Sequence, residues 1–208
     1  MDLSHGPSLR SQIKKRLNLF SCRSFSGDDL KPAAVGIIVV GGSTEGRVLL
    51  TKRPTHLTRH KGQYALPGGR LEPGETPEVA ALRELEEELG LKLEKVSVLG
   101  RLDDYPTRSG FLITPVVMWG PAEAEVSPDP NEVAKVFYIP LSELNSPELP
   151  EFHPKNAGEH PILSIKLPTT QGSVFAPTAA VLYQFREVVL RGKRTRVSHF
   201  DQPQFAWK

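Results

Sequence analysis

Residues 33–40, AAVGIIVV, form an unbroken apolar run, the pattern of a strand covered on both faces. GGSTEG (41–46) then reads as a turn, and RVLLTKR (47–53) as the returning strand of a hairpin. The stretch 54–69, PTHLTRHKGQYALPGG, lacks either period and is expected to be an irregular loop with a short strand around Tyr64–Leu66. Further strands are expected at SVLGRL (97–102), ITPVVMWG (113–120) and PILSIKL (161–167), and AKVFYIPLSEL (134–144) reads as a strand running into a helical turn. Three segments carry the helical period instead. LRSQIKKRLNLF puts Leu9, Ile13, Leu17 and Phe20 on one side. The segment 176–190 gathers Ala180, Leu182, Tyr183, Phe185, Val188 and Val189 mostly on one face. Between them, ETPEVAALRELEEELG has its own boundaries: Thr76 to cap the start, Pro77 for the first helical position, and Gly90 for the left-handed residue after the last turn. Strands, helix, strands, helix is the order of a mixed α+β domain rather than of regular βαβ units. The expected organisation is an N-terminal segment with a short amphipathic helix (1–30), one domain (31–190) and a basic tail (191–208).

Composition narrows this picture. A chain of 208 residues suits one domain with tails, and no apolar run approaches the roughly 20 residues of a membrane span. Lys+Arg 26 against Asp+Glu 24 gives a nearly balanced chain, which does not argue for duplex nucleic acid, a partner that usually wants a concentrated basic face. The single cysteine, Cys22, has no internal partner for a disulfide, which suits a reducing compartment, and it lies in a polar segment with no acid–base motif beside it. The N-terminus lacks the apolar core of a signal peptide. Residues 3–26 are free of acids and carry serines and basic residues in the manner of a transit peptide, but a short amphipathic helix accounts for the same pattern. The expectation is a cytoplasmic protein.

The charges are unevenly placed: KKR at 14–16, TKRPTHLTRHK at 51–61 and RGKRTR at 191–196 are basic, while acids concentrate between 72 and 94. A basic loop beside an acidic helix fits an anionic substrate held next to a metal. On the helix, Leu82, Leu85 and Leu89 share a stripe, and Glu84, Glu87 and Glu88, spaced by three and four, converge roughly opposite it. Glu86 points elsewhere. Three converging carboxylates suit a hard divalent cation with oxygen ligands, although such a cluster taken alone is more often a solvated helix face.

The residues before the helix change that balance. Gly69-x5-Glu75-x7-Arg83-Glu84-Leu85-x-Glu87-Glu88-x-Gly90-Leu91 resembles a complete Nudix box, the signature of Nudix hydrolases, with every position filled. The resemblance implies an α/β/α sandwich with a mixed sheet and a loop–helix–loop motif. It also implies Mg²⁺ or Mn²⁺ held by Glu84, Glu87 and Glu88 with the Gly69 carbonyl, Arg83 orienting the carboxylates, and Glu75 pairing with Arg83. The implied reaction is hydrolysis of a diphosphate linked to a second group, with Glu87 or Glu88 as first choice for the base and a residue from a downstream loop as an alternative.

The flanks resemble the coenzyme A pyrophosphatase branch of that family. Leu49, Leu50, Thr51, Arg53, Leu57, His60, Gly62, Pro67, Gly68 and Gly69 match its segment before the box, while Thr58, Leu66 and Glu72 depart from the residues common there. The stretches 102–117, 130–144 and 174–185 are similar to the same branch. What this implies is cleavage of coenzyme A or acyl-coenzyme A to 3′,5′-ADP and (acyl-)4′-phosphopantetheine. Arg53, Arg59, His60 and Lys61 are then candidates for gripping phosphate. Other nucleotides, such as a damaged nucleoside triphosphate or a nucleotide sugar, form the alternative. A non-catalytic ligand sensor ranks last because no box glutamate is lost. The expected partner is a small-molecule substrate, with neither nucleic acid nor membrane, and a homodimer is left open.

Overall fold

The computed structural model describes residues 1–25, 29–57, 60–153 and 160–203. After helix α1 (Pro7–Leu19) come strands β1 (Lys31–Val40), β2 (Arg47–Lys52), β3 (Tyr64–Ala65) and β4 (Gly68–Arg70), then helix α2 (Pro77–Leu89). Strands β5 (Val98–Arg101), β6 (Tyr105–Pro106), β7 (Phe111–Trp119) and β8 (Lys135–Pro140) precede the short helix α3 (Leu141–Leu144). Strands β9 (Glu151–His153), β10 (Ile162–Leu167) and β11 (Gly172–Phe175) lead to α4 (Thr178–Phe185), which widens into a π-helical turn over Arg186–Leu190.

The main sheet runs β3-β2-β1-β7-β5, with β8 beside β2, β4 beside β1 and β6 beside β7. It is mixed: β1 and β7 are parallel from Lys31 opposite Phe111 to Val39 opposite Trp119, and the other pairings are antiparallel. The apolar run of β1 is explained by cover on both faces. Ala34, Ile38 and Val40 meet Ala81, Leu85 and Leu89 of α2. Ile37 and Val39 point the other way, into a larger core with α1, α3, α4 and the small antiparallel sheet β9-β10-β11. The result is an α/β/α sandwich. Helix α1 is part of the larger core, since Leu9, Ile13, Leu17 and Phe20 are buried there. Each such side chain contributes about 1.5–3 kcal/mol when withdrawn from water. At its far end Arg16 donates to the Val189 carbonyl at 2.6 Å.

Several elements differ from the pattern-based expectation. Strand β4 consists of Gly68, Gly69 and Arg70, none of them strand formers. It pairs with Ala33–Val35, and at Gly68 the approach to β1 leaves no room for a Cβ. Strands β6, β9 and β11 are too short to show a period. The last helix is buried on nearly every side, so its apolar positions do not form a single stripe.

Candidate functional site

The site grows from the segment 68–90. Thr76 caps α2, its hydroxyl accepting from the Val79 amide at 3.4 Å, and Gly90 ends it with φ 63°. Ahead of the helix, Gly68 has φ 155°, and a Cβ there would stand 2.2 Å from the Ala34 carbonyl oxygen. At Gly69 the space a Cβ would fill belongs to the Glu84 carboxylate, with Oε1 2.2 Å away. The two glycines therefore serve different ends: one lets the chain into the sheet, the other lets a carboxylate lie against the main chain.

Arg83 organises this corner. Its Nε and Nη2 donate to Glu75 Oε1 and Oε2 at 2.9 and 3.1 Å. Nη1 donates to Glu84 at 2.9 Å and to Glu87 at 2.8 Å, and Nη2 also reaches the Arg70 carbonyl at 3.0 Å. The Arg83 pair, joined by the Glu72 amide, holds the Glu75 carboxyl below its ordinary range. Glu75, with the other carboxylates adding, raises the Arg83 pKa further, so this cation is permanent.

Glu84 and Glu88 have the opposite problem. Burial pushes the Glu84 carboxyl up, against the pull of Arg83. Glu88 is only 4% exposed, and burial, then the charges of Glu132 and Glu84, push it up to about 8; Arg53 and the Gly68 amide oppose the rise. The spacing along α2 predicts three carboxylates on one face opposite the leucines. Instead Glu87 lies in solvent, Glu84 is half-buried, and Glu88 turns inward beside Leu85 and Leu89, because the sheet and the loop 127–133 cover that edge of the helix. Leu82 is only half-buried. Among the described residues no three His, Cys, Asp or Glu side chains stand together as a ready cation nest, and Arg83 is paired with one oxygen each of Glu84 and Glu87. The donor chemistry nevertheless fits a hard divalent cation: carboxylate oxygens withdrawn from water and raising one another's pKa.

Glu132 is a member of the corner that sequence reasoning passed over. It lies on a turn stapled to the end of α2, where Asp129 N donates to the Glu88 carbonyl at 3.0 Å and Ser127 N to the Leu89 carbonyl at 2.8 Å. A single acid in a coil segment has no period to reveal it.

Beside Gly68 and Gly69 opens a cavity of about 380 Å³. Arg53 and His60 line it, as does Gly69, and His60 takes the left-handed conformation at φ 53°. Lys61 is exposed and away from the cavity lining, and Arg59 lies outside the described residues. The cavity also draws on Tyr64, Phe111, Thr178 and Gln202, which the local motifs did not single out.

A pH dependence follows for the metal-free protein. A carboxyl whose pKa is raised on folding holds its proton more tightly in the folded state. The contribution of Glu88 is therefore most favourable below about pH 4.5 and is lost as pH rises through 8. The loss is on the order of a few kcal/mol. Chemical denaturation in EDTA between pH 5 and 8.5 should show stability falling with pH, and Glu88→Gln should flatten that slope.

Comparison with known proteins bears on the family and the fold. The chain is 44% identical over 100 residues to the uncharacterized Nudix hydrolase NudL of Photorhabdus laumondii, covering 48% of this chain and 54% of that protein. It is 39% identical over 118 residues to Nudix hydrolase 3 of Caenorhabditis elegans, covering 54% and 49% respectively. The chain thus spans about half the length of these curated relatives. Among solved structures, a MutT/nudix family protein from Enterococcus faecalis shares the fold with a TM-score of 0.51 at 16% identity, over 82% of this chain and 67% of the other. The NUDIX domain model matches residues 30–158, more than half of the sequence, and the chain belongs to that family.

Proposed function

We propose that this protein hydrolyses a diphosphate linkage in a nucleoside diphosphate derivative, with coenzyme A or acyl-coenzyme A as the preferred substrate and 3′,5′-ADP and (acyl-)4′-phosphopantetheine as products. The observation that carries the reading is the pair of desolvated carboxylates, Glu84 and Glu88, set against a diglycine at the edge of a cavity that Arg53 and His60 also line. Glu84, Glu87 and Glu88, with the Gly69 carbonyl, would hold Mg²⁺ or Mn²⁺. When bound, such an ion polarises phosphoryl oxygens and lowers the pKa of water.

The chain's own groups have separable tasks in this reading. Glu88, withdrawn from water beside Gly68 at the edge of the site, is the residue we assign as base. Glu87, exposed and tied to Arg83, is the second choice, and Glu132 is the downstream-loop acid within electrostatic reach of Glu84 and Glu88. Arg83 and Glu75 fix the carboxylates in place. Arg53 meets substrate phosphate: its buried Nε has no hydrogen-bond partner among the described residues, and its charge is felt at Glu88. The unit 31–190 carries the chemistry, flanked by 1–30 and 191–208. The reading requires no membrane insertion, and among the described residues no helix is long and apolar enough to cross a bilayer.

The test is product analysis on a substrate panel with Mg²⁺ and Mn²⁺, comparing coenzyme A, its 3′-dephospho form, nucleotide sugars and oxidised nucleoside triphosphates. The highest kcat/KM on coenzyme A supports the reading, and preference for a triphosphate or sugar nucleotide replaces it with the alternative. Within the same assay, Arg53→Ala should raise KM for coenzyme A by roughly tenfold or more, the scale of a lost charge-assisted contact. It should raise KM for the 3′-dephospho form less. Equal increases would remove Arg53 from the 3′-phosphate.

A further inference from the structure

The cavity changes character along its length. On the side of Gly68 and Gly69 the lining carries cations, Arg53 and Arg70. The β1 register then steps away from Gly68, through Arg70 opposite Ala33, to Phe111 opposite Lys31. Beyond it the lining is uncharged: Thr107 and Ser109 from the β6–β7 turn, and Gln202. Arg108, between those two hydroxyl residues, is already paired with Asp201 through contacts of 3.2 Å from Nε and Nη2. A phosphate is therefore favoured near the glycines, and a neutral group with hydrogen-bonding edges is favoured farther in.

Arg70 and Phe111 meet at the junction of the two zones. The Arg70 guanidinium lies over the Phe111 ring, 5.1 Å from its centroid, and among the described residues no carboxylate pairs with Arg70. The Arg70 carbonyl is tied back to Arg83, so this residue is fixed to the carboxylate corner. Nucleobases stack on aromatic rings and on guanidinium planes alike. Pro177, Thr178 and Val181 of the α4 region and Gln202, all outside the family-matched stretch 30–158, also line the cavity and form its C-terminal wall. Thr178 is joined to the sheet by a 3.3 Å hydrogen bond to the Tyr64 carbonyl.

We propose that this cavity seats the nucleobase of the substrate, stacked on Phe111 and Arg70 with its polar edge toward the C-terminal wall, and that the non-nucleoside arm lies outside it. The inference rests on the nucleoside-diphosphate reading above and assigns which half of such a substrate enters. Base recognition then draws on Arg70 inside the glutamate motif together with residues well outside it.

The test is isothermal titration of the full chain in EDTA with two monophosphates, 5′-AMP and 4′-phosphopantetheine, so that the phosphate contribution is common to both. Phe111→Leu keeps an apolar side chain at the start of β7, and a thermal melt reports whether it folds. The expected result is AMP binding that weakens about tenfold in Phe111→Leu, with 4′-phosphopantetheine binding unchanged. Parallel losses for both ligands, or AMP binding indifferent to the substitution or absent in the unsubstituted chain, would overturn the assignment. If AMP binds through Phe111 while coenzyme A is not hydrolysed, the base seat stands and the substrate assignment falls.

Discussion

Glu88→Gln is expected to lower turnover of the preferred substrate by about 10²–10⁴-fold, the range for loss of a positioned acid–base group. The substitution keeps the shape of the side chain and removes a charge that burial disfavours. The metal-free protein should therefore be at least as stable as the parent at pH 8, where the parent's carboxyl is half ionised. Opposite movements of rate and stability distinguish a functional carboxylate from a structural one. A steady-state assay with Mg²⁺ and a urea titration in EDTA measure the two. Near-normal turnover would remove Glu88 from the chemistry, and a large loss of stability would mean that its hydrogen bonds, rather than its charge, matter to the fold.

The diglycine supplies the second large effect, through a contrast between neighbours. Gly68→Ala should cost on the order of 3–5 kcal/mol, because the added methyl meets backbone that cannot yield and φ lies outside the range of L-residues. That corresponds to a fall in Tm on the order of 10 °C. Gly69→Ala meets the carboxylate of Glu84, a side chain that can turn aside, rather than backbone, so the chain should fold with a smaller loss. Turnover should nevertheless drop, since Glu84 is driven from its place. Differential scanning calorimetry of both variants separates these roles. Equal melting temperatures for the two would show that the Gly68 contact is relieved elsewhere.

The elements legible from pattern alone were those whose causes are local. Strand β1 declared itself because cover on both faces demands a continuous apolar run. Helix α2 declared itself because Thr76, Pro77 and Gly90 carry its ends. The box spacing brought Glu75, Arg83, Glu84 and Gly69 to attention, and these lie together around the Arg83 guanidinium. What escaped depends on contacts between distant segments. Periodicity placed Glu84, Glu87 and Glu88 on one face but could not tell that the turn at Asp129 would bury Glu88 and leave Glu87 in water. Glu132, Phe111, Thr178 and Gln202 reach the site from four separate stretches of the chain, and no spacing connects them. Strand β4 was hidden for a different reason: two glycines and an arginine have no strand propensity, and a neighbour's backbone decides their conformation.

Helix α1, which lies before the family-matched stretch, and the segments β10, β11 and α4, which lie after it, supply most of the cover on one side of the sheet. A fragment trimmed to residues 30–158 would therefore leave Ile37, Val39, Val48, Leu50 and Val117 bare, a broad greasy plane with strand edges beside it. Such a fragment should precipitate or stick to itself, however complete its glutamate motif. Engineering of this protein must carry both flanks along with the part that families recognise.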